Sequence, residues 1–242
     1  MNIRSFLVLF LGFVSLNHWT TVASAQRAGS IIPDVVDGHK DGLAMTMDLY
    51  APEKKNGAAI VFIVSGGWVS RWAPPESLQW MFAPYLAKGY TGFAVRQGSS
   101  PKYGIPDAVA EVRRAIRFIR HRARVDGIDP ERIGVMGMSA GGHLSLMLAT
   151  RADEGDPTAS DRILRESSRV QTVVAFVPPT DLTVAVWSAE ESLPAYKGFP
   201  ALDLPIEEAA KYSPKLHVTK DDAPALVIFG TKDKLDPPRH GK

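Results

Sequence analysis

The chain contains no cysteine. That absence excludes disulfides, thiolate nucleophiles and cysteine-ligated zinc, and it removes the residue that would report a redox compartment. An excess of either charge is missing as well. Lys and Arg number 28 against 26 Asp and Glu, a formal net of +2, and neither half is a basic or acidic block. Non-specific nucleic-acid binding therefore has no electrostatic basis. No apolar run reaches the roughly 20 residues that a membrane-spanning helix needs. Metal-ligand spacings, a dinucleotide-type glycine loop and a phosphate loop are also absent, so no cofactor and no metal is implied. What remains is ordinary globular composition, 45% hydrophobic and 22% charged over 242 residues, which suits one domain with a sizeable core.

The amino terminus carries a separate message. Arg4 precedes an apolar run from Phe6 to Leu16, and Ala23-Ser24-Ala25 follows before Gln26. A basic start, a short apolar core and a small-residue site describe a cleavable secretory signal. The expectation is a signal over residues 1–25, cut after Ala25, and a domain over 26–242, secreted or periplasmic with no membrane span. With no cysteine at the cleavage site, a lipid anchor is not expected.

Beyond it, apolar runs alternate with helical patterns. Met45–Leu49 alternates after a turn at Gly38–Gly42, which suggests an opening hairpin. Ala58–Val64 is nearly all apolar and rich in β-branched residues, as in a strand covered on both faces. A helix is predicted around Glu76–Lys88, and a strand over Thr91–Val95. From Pro106 to about Arg124 a long helix presents Val112, Ala115, Ile116 and Ile119 at core spacing. Its other faces hold Arg113, Arg114, Arg117, Arg120, Arg122 and Arg124, read as a solvated surface with stems covering sheet edges. Strands over Arg132–Met136, Thr172–Val177 and Ala225–Phe229 and a helix over Gly141–Thr150 complete the pattern. Strands separated by helices imply an α/β fold with a mostly parallel sheet between helical layers. The Pro-interrupted stretch between Asp181 and Pro224 reads as a small insertion over the sheet.

Gly137-Met138-Ser139-Ala140-Gly141 is a G-x-S-x-G motif between a strand and a helix. In that context the chain turns sharply, and the serine projects above the sheet as a nucleophile. Ala140 N–H, at a helix start, is placed to bind an oxyanion. Ser65-Gly66-Gly67-Trp68 follows the first long strand, where a glycine pair can aim further N–H groups into the same crevice. Trp68, Trp72 and Trp80 could line an acyl or aromatic pocket, although Trp80 also reads as the buried face of its helix.

These motifs resemble the α/β-hydrolase superfamily, and most closely its bacterial feruloyl-esterase-like and hormone-sensitive-lipase-like esterases. The similarity runs from about Met45 to the end. It rests on Gly127–Val135, on the elbow through His143, on Val177–Leu182 and on Ala223–Asp233. The resemblance implies Ser139 as nucleophile, Asp233 as the triad acid, Gly66, Gly67 and Ala140 as oxyanion donors, and Trp68 at the substrate. The substrate class it implies is a small-molecule or polysaccharide-linked ester; it leaves oligomeric state open. Asp236 and Asp181 are rivals for the acid.

The chain departs from the family in three places, one being the Tyr-Arg pair that usually ends the strand after the glycine loop, which reads Val95-Arg96. His-Gly-Gly-Gly-Trp of the family reads Val64-Ser65-Gly66-Gly67-Trp68, so the leading His that braces the loop is lost. The family also places its catalytic His after a helix and a strand beyond the acid, whereas the sequence stops nine positions after Asp233. The His-bearing segment is therefore expected to be missing. Among the six histidines, His18 falls in the signal, His39 in a turn, His121 on the arginine-rich helix, His143 in the elbow helix, and His217 in the insertion. His240 is too near Asp233 to follow a helix and a strand. Three readings stay open: an exported serine ester hydrolase, a prolyl-oligopeptidase-like serine peptidase, and a truncated or inactive hydrolase lacking its catalytic His.

Overall fold

The computed structural model describes residues 29–190 and 192–233. The expected signal, Asp236 and His240 lie outside the described residues. Seven strands form one sheet: β1 (Ile31–Lys40), β2 (Leu43–Tyr50), β3 (Ala59–Val64), β4 (Thr91–Arg96), β5 (Ile133–Met138), β6 (Thr172–Phe176) and β7 (Ala225–Ile228). Their spatial order is β1-β2-β4-β3-β5-β6-β7. The opening hairpin and the β2–β4 pair are antiparallel. All pairings from β4 to β7 are parallel. This is the α/β-hydrolase fold that the motifs imply.

The order fixes where a site can form. From β3 the chain first builds outward to β4 on one side, then returns to lay β5 on the other. Such a reversal opens a crevice at the carboxyl ends of the two strands. The glycine pair follows β3 and Ser139 follows β5, so both motifs open onto it.

Helices α1 (Gln79–Leu86), α2 (Ile105–Asp126), α3 (Ala140–Thr150) and α4 (Ile206–Lys211) cover the sheet. Along β3 the side chains alternate. Ala59, Val61 and Ile63 join the main core with α2 and α3, while Ile60, Phe62 and Val64 pack more loosely toward α1. There Phe82 is fully buried and stacks on Tyr50, with ring centroids 4.3 Å apart. Trp80 is two residues earlier, which is about 200° around a helix. It is accordingly 76% exposed, not the buried face of its helix. Trp72 is exposed too, so neither lines the crevice.

The core stripe of α2 is as the spacing predicts: Val112, Ala115, Ile116 and Ile119 are buried. Arg122, paired with Asp126 on the same helix, and the exposed Arg124 keep to the surface as expected, but Arg113, Arg114, Arg117 and Arg120 do not. They hold the long connection between α3 and β6. Arg114 pairs with Asp161 at 2.6 Å and donates to the Asp37 carbonyl. Arg117 pairs with Asp153 and donates to the Glu166 carbonyl, and Arg113 donates to the Arg151 carbonyl. Arg120 is buried and donates to the carbonyls of Ser167, Arg169 and Pro130. These four are spent on internal contacts because a connection with little regular structure leaves carbonyls that need donors.

The insertion joins the same core. Leu182, Val186, Tyr196, Leu202 and Ala209 are buried in the cluster that contains β3 and α3. Between them run short 3-10 turns, including Leu182–Val184 and Pro194–Gly198.

Candidate active site

Ser139 has φ 53° and ψ −124°, a backbone conformation that side chains rarely adopt. Such strain persists only where the surroundings enforce it. Here Ser139 N–H donates to the Phe176 carbonyl at 2.8 Å, tying the turn to the end of β6. Gly137 is required by close approach: a Cβ there would lie 2.3 Å from the Gly141 carbonyl oxygen. Gly141 in turn donates to the Ser65 carbonyl at 3.3 Å, which links the elbow to the glycine loop. Ser139 itself is half-buried, at the N-terminus of the eleven-residue α3. The helix dipole there favours developing negative charge.

Across the crevice, Gly66 and Val69 exchange backbone hydrogen bonds at 3.0 and 3.1 Å. The Gly66 N–H is therefore engaged, and Gly66 shapes the loop tip instead of offering a free donor. Among the described residues the N–H groups of Gly67 and Ala140 have no such partner. Gly67 and Trp68 both take positive φ, 59° and 58°.

Between loop and elbow lies a small pocket. Gly67, Trp68 and Ser139 form one side, and Tyr196, Phe199 and Leu202 of the insertion the other. The centre of a water molecule can move over about 20 Å³ within it. The insertion residues were illegible as site residues in the sequence, because their stretch has no periodic pattern to place them.

Two of the three acid candidates lie among the described residues. Asp233 follows β7 at the same edge of the sheet as Ser139, in a turn where its N–H donates to the Gly230 carbonyl at 3.1 Å. Asp181 instead caps the turn Leu182–Val184, accepting from the N–H and hydroxyl of Thr183.

His143 is completely buried. Trp68 Nε1 donates to its Nδ1 at 3.2 Å, and its Nε2 donates to the Tyr212 carbonyl at 2.7 Å. Those partners require the neutral ring with the proton on Nε2. Burial pushes its pKa down to about 4, against a smaller opposing pull from the Tyr212 carbonyl. His121 contacts Glu166, and His217 contacts the carbonyls of Ala210 and Lys211. No histidine ring among the described residues hydrogen-bonds the Ser139 hydroxyl.

Sheet order, strained serine and glycine loop define an α/β-hydrolase. The BD-FAE family model matches residues 47–242, and the chain belongs to that family. Esterase LipQ of Mycobacterium tuberculosis is 23% identical over 235 residues, an alignment covering 88% of this chain and 55% of LipQ. An acetylxylan esterase of Xylanibacter ruminicola is 34% identical over 113 residues, covering 46% of this chain and 22% of that protein. The chain thus spans about half or less of the length of these curated relatives. Among solved structures, a truncated carbohydrate esterase from gut microbiota superposes with a TM-score of 0.73 at 24% identity, covering 90% of this chain and 82% of that one. A thermophilic esterase from Thermogutta terrifontis gives 0.67 at 22% identity, covering 89% and 76%. At these identities the structural likeness is one of fold.

Proposed function

We propose that this protein is an exported serine carboxylic-ester hydrolase. Ser139 is the nucleophile, Asp233 the acid, and Gly67 and Ala140 N–H hold the oxyanion. The observation that carries this reading is the strained backbone of Ser139 at a helix start, facing a loop with an unengaged N–H. Attack of the Ser139 hydroxyl on an ester carbonyl forms a tetrahedral oxyanion, the alcohol leaves, and water releases the acid. Two donors aimed at that oxyanion contribute more as charge develops than in the ground state. The pocket beside Ser139 has room for little more than a methyl-sized group, so we assign it a short acyl chain such as acetyl. The names of the relatives, LipQ and the acetylxylan esterase, accord with ester substrates, including polysaccharide-linked ones. The sequence signal over 1–25 supports export.

A second reading, an elbow without its base, is favoured by one observation: both His143 ring nitrogens are engaged, and no described histidine ring bonds the Ser139 hydroxyl. One experiment separates the two. The full chain is exposed to a fluorophosphonate and its intact mass is measured beside Ser139→Ala. An adduct lost in the variant, together with hydrolysis of p-nitrophenyl acetate, supports the hydrolase. A folded chain that takes no adduct overturns it in favour of the second reading.

A further inference from the structure

His143 touches three parts of the site at once. Its N–H donates to the Ser139 carbonyl at 2.9 Å, as part of the first turn of α3. Its ring binds Trp68 of the glycine loop on one nitrogen and the Tyr212 carbonyl, at the end of α4, on the other. The indole also meets the imidazole edge to face, with centroids 5.4 Å apart. Trp68 is itself almost fully buried. The loop it belongs to needs such an anchor. Trp68 holds φ 58°, which is costly for a residue other than glycine. The remaining ties, Gly66 with Val69 and Trp68 carbonyl with Ser100 N–H at 3.0 Å, fix the loop tip and its exit. Gly141 N–H on the Ser65 carbonyl holds the start of the loop to α3 at 3.3 Å, but none of these ties fixes Trp68 against that helix. The Trp68–His143 bond does.

We propose that His143 is a positioning residue, whose neutral ring clamps Trp68 so that Gly67 N–H and Ala140 N–H converge on one oxyanion. This rests on the ester-hydrolase reading for its catalytic consequence, but the clamp itself does not. No aliphatic side chain can replace the ring. Leucine would leave the buried indole N–H and the Tyr212 carbonyl unpaired. Glutamine supplies both an acceptor and a donor from a similar length of side chain.

The test compares His143→Leu, His143→Gln, Trp68→Phe and the Leu–Phe double variant in the full chain. Amide hydrogen exchange is read at Gly66–Ser70 and, as reference, in β3 and α3. Ester kinetics are read on p-nitrophenyl acetate. The expected result for His143→Leu is exchange at Gly66–Ser70 faster by tenfold or more relative to the reference segments. Its kcat falls about 10–100-fold with KM little changed, a loss confined to the transition state. His143→Gln restores part of both. The double variant is no worse than the poorer single variant, because both remove the same bond. Exchange that rises equally everywhere, or not at all, overturns the clamp. If the parent chain neither hydrolyses the ester nor takes the fluorophosphonate, the hydrolase reading fails alone, and the exchange data still decide on His143.

Discussion

The ring of Phe199 lies directly over Gly67: a Cβ on that glycine would sit 2.6 Å from Phe199 Cδ1. One residue of the insertion thereby covers the glycine loop and walls the pocket beside Ser139. Removing the ring opens that pocket. Phe199→Ala is expected to raise kcat/KM for butyrate and hexanoate esters relative to acetate by about tenfold, since one methylene in a pocket contributes roughly 1–3 kcal/mol. A series of p-nitrophenyl esters on the two proteins measures it. An unchanged acyl preference would show that the chain of the substrate does not enter here.

The elbow offers a second check that needs no substrate. Ser139 holds φ 53° with a Cβ present, whereas glycine takes that conformation freely. Ser139→Ala keeps the strain and Ser139→Gly relieves it. The glycine variant should be the more stable of the two by about 1 kcal/mol or more, net of its larger unfolded-state entropy. Urea midpoints compared at equal slope give the answer. Equal midpoints would mean the turn is not strained.

Much of this architecture is legible in the sequence, for reasons that differ by residue. The strands and α2 follow from apolar periodicity, which reports directly on which faces are covered. The elbow follows from glycine spacing, because Gly137 has no room for a Cβ. Other features depend on partners far along the chain. Phe199 lies over Gly67 across 132 positions, and no local pattern encodes that. Arg113, Arg114, Arg117 and Arg120 look like a solvated face because their acceptors are backbone carbonyls and carboxylates outside α2, which no local pattern marks. The engagement of Gly66 N–H by Val69 is likewise a property of the folded loop.

Those arginines yield a third expectation. Arg120 is 8% exposed and serves three carbonyls at once. A fork of donors does this, and an ammonium does not. Arg120→Met removes a buried charge but strands three acceptors, so a loss of about 2–4 kcal/mol is expected. Arg120→Lys should recover less than half. Arg122→Met, whose partner Asp126 is on the same helix at 3.2 Å, should cost under about 0.5 kcal/mol. Thermal or urea unfolding of the three variants measures the contrast. Similar losses in Arg120→Met and Arg122→Met would remove Arg120 from its place as the clamp of the α3–β6 connection.

Stability against pH separates two buried groups of opposite sign. Asp37 in β1 is buried, and burial pushes its pKa up to about 7, only partly offset by its own backbone N–H and by Arg114. The unfolded chain releases that proton near pH 4 and the native chain holds it to about 7. The native state therefore binds more protons between them, and Asp37 makes stability fall as pH rises through this window. His143, held at about 4 against an ordinary 6.5, does the reverse. There the unfolded chain binds more protons, and stability rises from about pH 4 to 6.5. The two slopes oppose each other over most of the same range. In Asp37→Asn only the histidine slope remains, so stability should climb between pH 4.5 and 6.5 and stay level to pH 7.5. The parent chain should be nearly flat to 6.5 and fall by pH 7.5. Unfolding free energies at four pH values across that interval suffice, and identical profiles for parent and variant would mean that Asp37 titrates normally.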